Sequence, residues 1–269
     1  MTRLAAPVPE AIFWSITAIC VVGFIVTFVI ALSDVRTIDG HVSVWAKPMK
    51  FEASLALHAL TLALVLSQLS EPQRHSTLIH ALAGAFLLAC LVEMGWILFQ
   101  AARQEASHFN VSTAFHRMMW SVMAIAAVVI IGAAGAIGLI VLSDRNADIA
   151  PALRLAIALG LIGGTILTLV TAFTIGARMS PHIGGQPLPE MRMAVTGWSQ
   201  SGGDLRVSHF LATHMIQVIP LAGLALSALA NRPIAMIGVL ALALFWGAWT
   251  LYEFRQSLQG KPSVLALIF

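Results

Sequence analysis

Seven long apolar runs divide this 269-residue chain, at 11–33, 51–70, 77–101, 114–142, 152–177, 208–230 and 233–258. A helix rises 1.5 Å per residue, so about 20 apolar residues cross a hydrocarbon layer. Inside that layer the backbone has no water to bond, so each run must satisfy its own N–H and C=O groups as a helix. The expected fold class is all-α: an integral membrane bundle of seven transmembrane helices forming a single domain over residues 1–269.

Composition agrees. The chain is 59% hydrophobic and 10% charged, with mean hydropathy +0.89. Soluble domains carry about 25% charged residues, so this chain cannot coat a water-exposed surface. The net charge of +3 reflects arginines at membrane edges, not nucleic-acid binding. Cys20 and Cys90 lie inside apolar runs with no CxxC spacing, which predicts packing roles. The first run is longer than a signal-peptide core of roughly 7–15 residues and is read as an uncleaved span.

Basic residues orient the bundle. Of the 15 lysines and arginines, five lie on the side of the N-terminus (Arg3, Arg74, Arg145, Arg154 and Arg232) and ten on the other. The richer side is normally cytoplasmic. The N-terminus is therefore expected outside and the C-terminus inside, in a bacterial-type cytoplasmic (inner) membrane.

Polar residues within the runs gather toward the basic side. By the helical rise, His58 lies about 10 Å in, Glu93 about 12 Å, His214 about 9 Å and Glu253 about 8 Å. His116 is shallower. Glu52, His209 and Arg117 form a shallower layer still, where Glu52 has Lys47 or Arg117 as candidate ion-pair partners. Faces agree with depths, because helix neighbours recur at three and four residues. Glu93, Gln100 and Gln104 share one stripe, as do Trp246, Trp249, Glu253 and Gln256. His209, Thr213, His214 and Gln217 cover one arc of the sixth run. Ionisable groups inside spans are costly and usually face a bundle interior or water. They are expected to line one polar cavity open to the basic side, against the blander alternative of buried hydrogen-bonded pairs.

Imidazoles with carboxylates suit a transition metal such as iron or copper, or the axial positions of haem b. The expected ligand set is His58, His116, His209, His214 and Glu93. Arg117, Arg178 and Arg206 are candidate partners for haem propionates, and Gln217 adds a cofactor contact. Glu93, Glu253 and Tyr252 are candidate acid–base residues. A membrane oxidoreductase acting on a lipophilic or small substrate, a quinone among them, leads this reading. The alternatives are a proton-coupled transporter or channel, in which Glu93 and the histidines relay protons, and a non-catalytic sensor or assembly subunit. Beyond the lipid bilayer, a second copy or a partner subunit is an expected partner. The half of the membrane opposite the basic side offers little beyond Thr77, His80 and Thr165, which disfavours transport. A retinal protein is excluded because Lys47, Lys50 and Lys261 all lie outside the runs or at their ends. HExxH, GxSxG, P-loop and dinucleotide fingerprints are absent.

The connection over 178–207 is long for a bundle and reads as a lid on the basic side, with Gly184–Gly185 and Gly202–Gly203 as candidate hinges. It carries His182, Glu190, Arg192, Trp198 and Asp204. Across the same side, the segment 103–117 supplies a rim with Glu105, His108 and Asn110. The segment 41–52 reads as an aromatic and cationic anchor.

Overall fold

A computed structural model describes residues 7–38, 40 and 42–265; Arg3 and His41 lie outside them. Seven helices are long and apolar enough to cross a bilayer. They are α1 (Val8–Ala31), α2 (Ala46–Leu66), α4 (Thr77–Ala102), α5 (Ala114–Ser143), the composite Pro151–Arg178, α8 (Leu205–Leu229) and α9 (Arg232–Leu258). A short α3 (Glu71–Arg74) follows α2. The chain divides into two compact units, Met1–Ile149 and Ala150–Phe269.

In the first unit α1 packs along α2 and α4, and α4 packs against α5. α2 begins five residues before the apolar run, with Pro48 inside its first turn. The first N–H groups of a helix have no partner within it, so proline costs nothing there. Lys47 is thereby carried into that first turn. His58 stands twelve residues beyond Ala46, about 18 Å along the axis at the helical rise. Glu52 turns toward α1, where its Oε1 accepts a hydrogen bond from Thr27 at 3.0 Å. Gly23 makes room for it, since a Cβ there would stand 2.9 Å from that oxygen.

Four spans start on side-chain caps that accept otherwise orphaned N–H groups. Ser76 caps α4, Thr113 α5, Asp204 α8 and Asn231 α9. α4 ends in a Schellman turn, with Gln104 N–H on the Ala101 carbonyl at 3.0 Å and Glu105 N–H on the Gln100 carbonyl at 2.9 Å. Gln104 takes the left-handed position at φ 61°, where glycine is usual. Its side chain donates to the Thr37 carbonyl at 2.8 Å. That bond ties the helix end to a two-stranded hairpin, β1 (Thr37–Ile38) and β2 (Val42–Ser43), paired Thr37 to Ser43 and Ile38 to Val42.

In the second unit the 152–177 run is not one α-helix. α6 (Pro151–Ala158) passes through a π turn over Leu159–Gly163 into α7 (Gly164–Arg178). Helices in lipid associate by close packing of small residues, and here the fit is tight. A Cβ on Gly160 would stand 2.6 Å from Pro220 Cδ, one on Gly164 2.6 Å from Ile216 Cγ1, and one on Gly223 2.1 Å from the Ala156 Cβ. Gly223→Val is expected to cost about 1–3 kcal/mol through overpacking, read as a lower thermal midpoint in detergent. An unchanged midpoint would contradict the close crossing.

The connection between α7 and α8 holds a short hairpin, β3 (His182–Ile183) against β4 (Gly203–Asp204). Asp204 is fully buried. It accepts from Ser199 N–H at 2.9 Å, Arg206 Nε at 2.9 Å and Arg206 N–H at 3.0 Å. Gly203 is not free to hinge: a Cβ there would stand 2.1 Å from the Ser257 carbonyl oxygen. Gly184 and Gly185 take left-handed backbone, φ 94° and 108°, and supply the turn.

Candidate functional site

α4 carries Glu93, Trp96 and Gln100 on one face, all buried. Each meets the segment that follows the helix. Trp96 Nε1 donates to the Ser107 carbonyl at 2.9 Å. Gln100 Nε2 donates to the Ala106 carbonyl at 3.2 Å and to Glu105 Oε2 at 3.3 Å. Glu105 also accepts from Arg103 at 2.9 Å and meets His116 Nε2 at 3.1 Å. Those partners, Arg103 first, hold the Glu105 carboxyl below the usual carboxylate range against a smaller opposing effect of burial.

These anchors fold the segment back over the helix end and place His108 above Glu93. His108 Nε2 lies 3.9 Å from Glu93 Oε2. Its ring packs against Phe51 and Trp120, each with centroids 5.7 Å away. Burial pushes the His108 imidazole well below its ordinary value, and the positive charge of Lys47 acts in the same direction. Burial thus favours the neutral ring over an ion pair at 3.9 Å. That distance is also longer than a hydrogen bond. A bridging water or a slight closure of the segment would connect the two groups. Both Glu93 oxygens are buried with no hydrogen-bond partner among the described residues, an arrangement uncommon in folded proteins.

Next to His108 is a pocket of about 230 Å³, formed by the β1–β2 hairpin, the first turn of α2, the end of α4 and the segment after it. Among the described residues, Lys47, Ser43, Glu105, Ser107 and His108 are the polar or charged ones on its wall. Lys47 sits over the Phe51 ring, 5.7 Å from its centroid. His108 thus stands between an open pocket and a buried acid.

The other expected site residues have the following surroundings, each within its own unit. In the first unit His58 is buried and stacks on Phe86, centroids 5.7 Å apart and planes 6° from parallel. His116 Nδ1 lies 2.8 Å from the Thr113 hydroxyl. Arg117 is exposed and donates to the Val111 carbonyl at 3.2 Å. In the second unit His209 Nδ1 meets the Thr171 hydroxyl at 3.0 Å, and His214 packs on the Phe210 ring at 4.2 Å. Arg206 is engaged by Asp204 and by the Gly197 carbonyl at 2.8 Å. Arg178 is exposed in the last turn of α7. Tyr252, half exposed, accepts from Gln256 at 3.0 Å. Gln217 Oε1 and both Glu253 oxygens are buried without a hydrogen-bond partner among the described residues. Also among the described residues, no group of three or more His, Cys, Asp or Glu side chains is gathered closely enough to hold a metal ion.

Two partly buried histidines set a pH dependence. His182, like His108, is held below its ordinary value: burial is the main cause, opposed by Asp204 and aided by Arg206 and Arg192. Each folded-state value lies below the unfolded one of about 6.5. The stability they contribute is complete above that pH and falls away as pH drops below it. The slope approaches about 1.4 kcal/mol per pH unit for each histidine. The thermal midpoint is expected to fall on acidification below about pH 6.5, and His108→Asn to flatten that decline. A midpoint indifferent to pH in this range would contradict the neutral, partly buried placement.

Sequence reasoning put His108 on the rim and missed its approach to Glu93, because no periodicity or motif marks a residue carried by an irregular segment. Compared with known proteins, the chain matches no family model, no curated sequence and no solved structure.

Proposed function

We propose that the first unit is the proton-exchanging site of a membrane enzyme, reached from the basic side of the bilayer. Glu93 accepts and returns a proton, and His108 passes it to and from a ligand in the adjoining pocket. The observation that carries this reading is the buried, unbonded Glu93 carboxyl 3.9 Å from a histidine that lines a pocket. Buried acids of this kind are expensive and tend to be kept for function. The excess of lysine and arginine supports assigning the pocket side to the cytoplasm and the N-terminus to the outside, with a bacterial-type cytoplasmic membrane as the bilayer.

The alternative is a proton-coupled transporter, which needs a polar route from both sides. Within the first unit the polar groups at the far end are tied to one another. Arg74 bonds Glu10, and Asp144 accepts from the Ser70 amide and hydroxyl, both at 2.8 Å. Iron, copper or haem b stays an expectation from the sequence, and no step is routed through such a group. Reconstitution into vesicles with an internal pH dye distinguishes the readings. A one-sided site gives no proton flux above that of empty vesicles. Flux that disappears in Glu93→Gln would overturn it in favour of transport. Elemental analysis and an absorption spectrum of the same preparation test for metal and haem directly.

A further inference from the structure

We infer that the pocket beside His108 binds a small organic monoanion, a carboxylate on a compact apolar body. The inference rests on the proposed Glu93–His108 site and names the class of ligand that site serves.

The wall is mostly apolar, with Ile38, Val42, Val44, Pro48, Ile97 and Ala101 contributing. A cavity of about 150 Å³ accommodates benzene, so about 230 Å³ admits one ring with a charged substituent and little more. Lys47 is the sole cation on the described wall. No side-chain acceptor among the described residues bonds its ammonium, which rests over the Phe51 face. The one carboxylate among the described wall residues, Glu105, is already answered by Arg103 and His116, so among those residues Lys47 is left to attract a charge from outside. The start of α2 adds to that attraction. It has no acidic residue in its first turn and no side-chain cap, and the positive end of a helix dipole favours an anion. An apolar body on the hydrophobic wall and a carboxylate on Lys47 and His108 satisfy every feature of the pocket.

Occupancy has a consequence for Glu93. Among the described residues, the ionisable groups on the pocket wall or beside His108 are Lys47 from α2, Glu93 from α4 and Glu105 from the segment after it, with Arg103 and His116 on Glu105. When the anion takes the charge of Lys47, that charge no longer favours an ionised carboxyl at Glu93. Glu93 then takes a proton from solvent through His108, so that at most one proton enters with each anion. Nothing is oxidised or reduced, and no covalent bond beyond the O–H is made.

Isothermal titration calorimetry of the full-length protein in detergent tests this, with benzoate as the probe and benzamide as its uncharged isostere. Saturable binding of benzoate and none of benzamide is expected. Lys47→Gln should weaken benzoate binding by on the order of ten- to a hundredfold, the value of one charge-assisted hydrogen bond, while Lys47→Arg stays within a few-fold. Thermal midpoints of both variants identify any that fail to fold. Equal binding of benzoate and benzamide, or unchanged affinity in a folded Lys47→Gln, would overturn the inference. Repeating the titration in buffers of different ionisation enthalpy reads proton uptake, expected in the wild type and lost in Glu93→Gln, which still binds benzoate. Binding without proton uptake leaves the anion site standing and removes the proton role of Glu93. A Glu93 that titrates in a protein with no affinity for benzoate does the reverse.

Discussion

Glu93→Met is expected to stabilise the protein while removing its proton exchange. Glu93 is 1% exposed, and neither carboxylate oxygen has a hydrogen-bond partner among the described residues. A buried polar group left unbonded costs about 1–3 kcal/mol, and methionine fills a similar volume without that cost. The thermal midpoint in detergent should therefore rise. A stabilising change that abolishes activity is the pattern expected of a residue retained for function at the expense of stability. A clear fall in the midpoint would instead make Glu93 a bonded structural residue, and the site would lose its central acid.

Asp204→Ala is expected to act in the opposite direction and more strongly. Its carboxylate collects the Ser199 amide, the Arg206 amide and the Arg206 guanidinium, and its carbonyl accepts from the Ser257 hydroxyl at 2.9 Å. One side chain thus caps α8 and closes the preceding connection. Arg206 is 35% exposed and its charge stays solvated, so the cost comes from the lost helix cap and the lost hydrogen bonds to a buried carboxylate, about 2–4 kcal/mol. The consequence should be local first: trypsin cuts at Arg192, within the connection, much faster than in the wild type. Unchanged cleavage would show that the connection holds without Asp204. Burial, the largest single effect, would raise the Asp204 carboxyl, but Arg206, the Ser199 amide and His182 together outweigh it and the net displacement is downward. Its contribution is then complete above about pH 3.9, the ordinary value for aspartate, and is lost as pH falls below that toward the folded-state value.

How far the sequence alone reached follows from the physics of each element. The spans were legible because a bilayer demands long apolar helices and allows little else. Their ends were less so. Pro48 reads as a boundary marker, yet the first helical turn tolerates proline, so α2 began earlier and brought Lys47 with it. The π turn at Leu159–Gly163 left no periodic trace in a stretch that is apolar throughout. The Glu93–Gln100 stripe was visible as helical spacing, and both residues are buried on one face. What spacing could not supply was the partner of that stripe. His108 reaches Glu93 only because Trp96, Gln100 and the left-handed Gln104 turn the chain back, and such long-range contacts are invisible to local pattern. A shared side of the membrane likewise did not reveal each residue's partner. His58 and His116, read together from their position along two helices, are engaged by Phe86 and by Glu105 respectively.

The most direct measurement of the proton-exchange claim is infrared difference spectroscopy of the purified protein across pH. The account predicts a protonated-carboxyl C=O band whose intensity follows pH, which is absent in Glu93→Gln and shifted in frequency in His108→Asn. A spectrum in which Glu93→Gln removes no pH-responsive carboxyl band would contradict it.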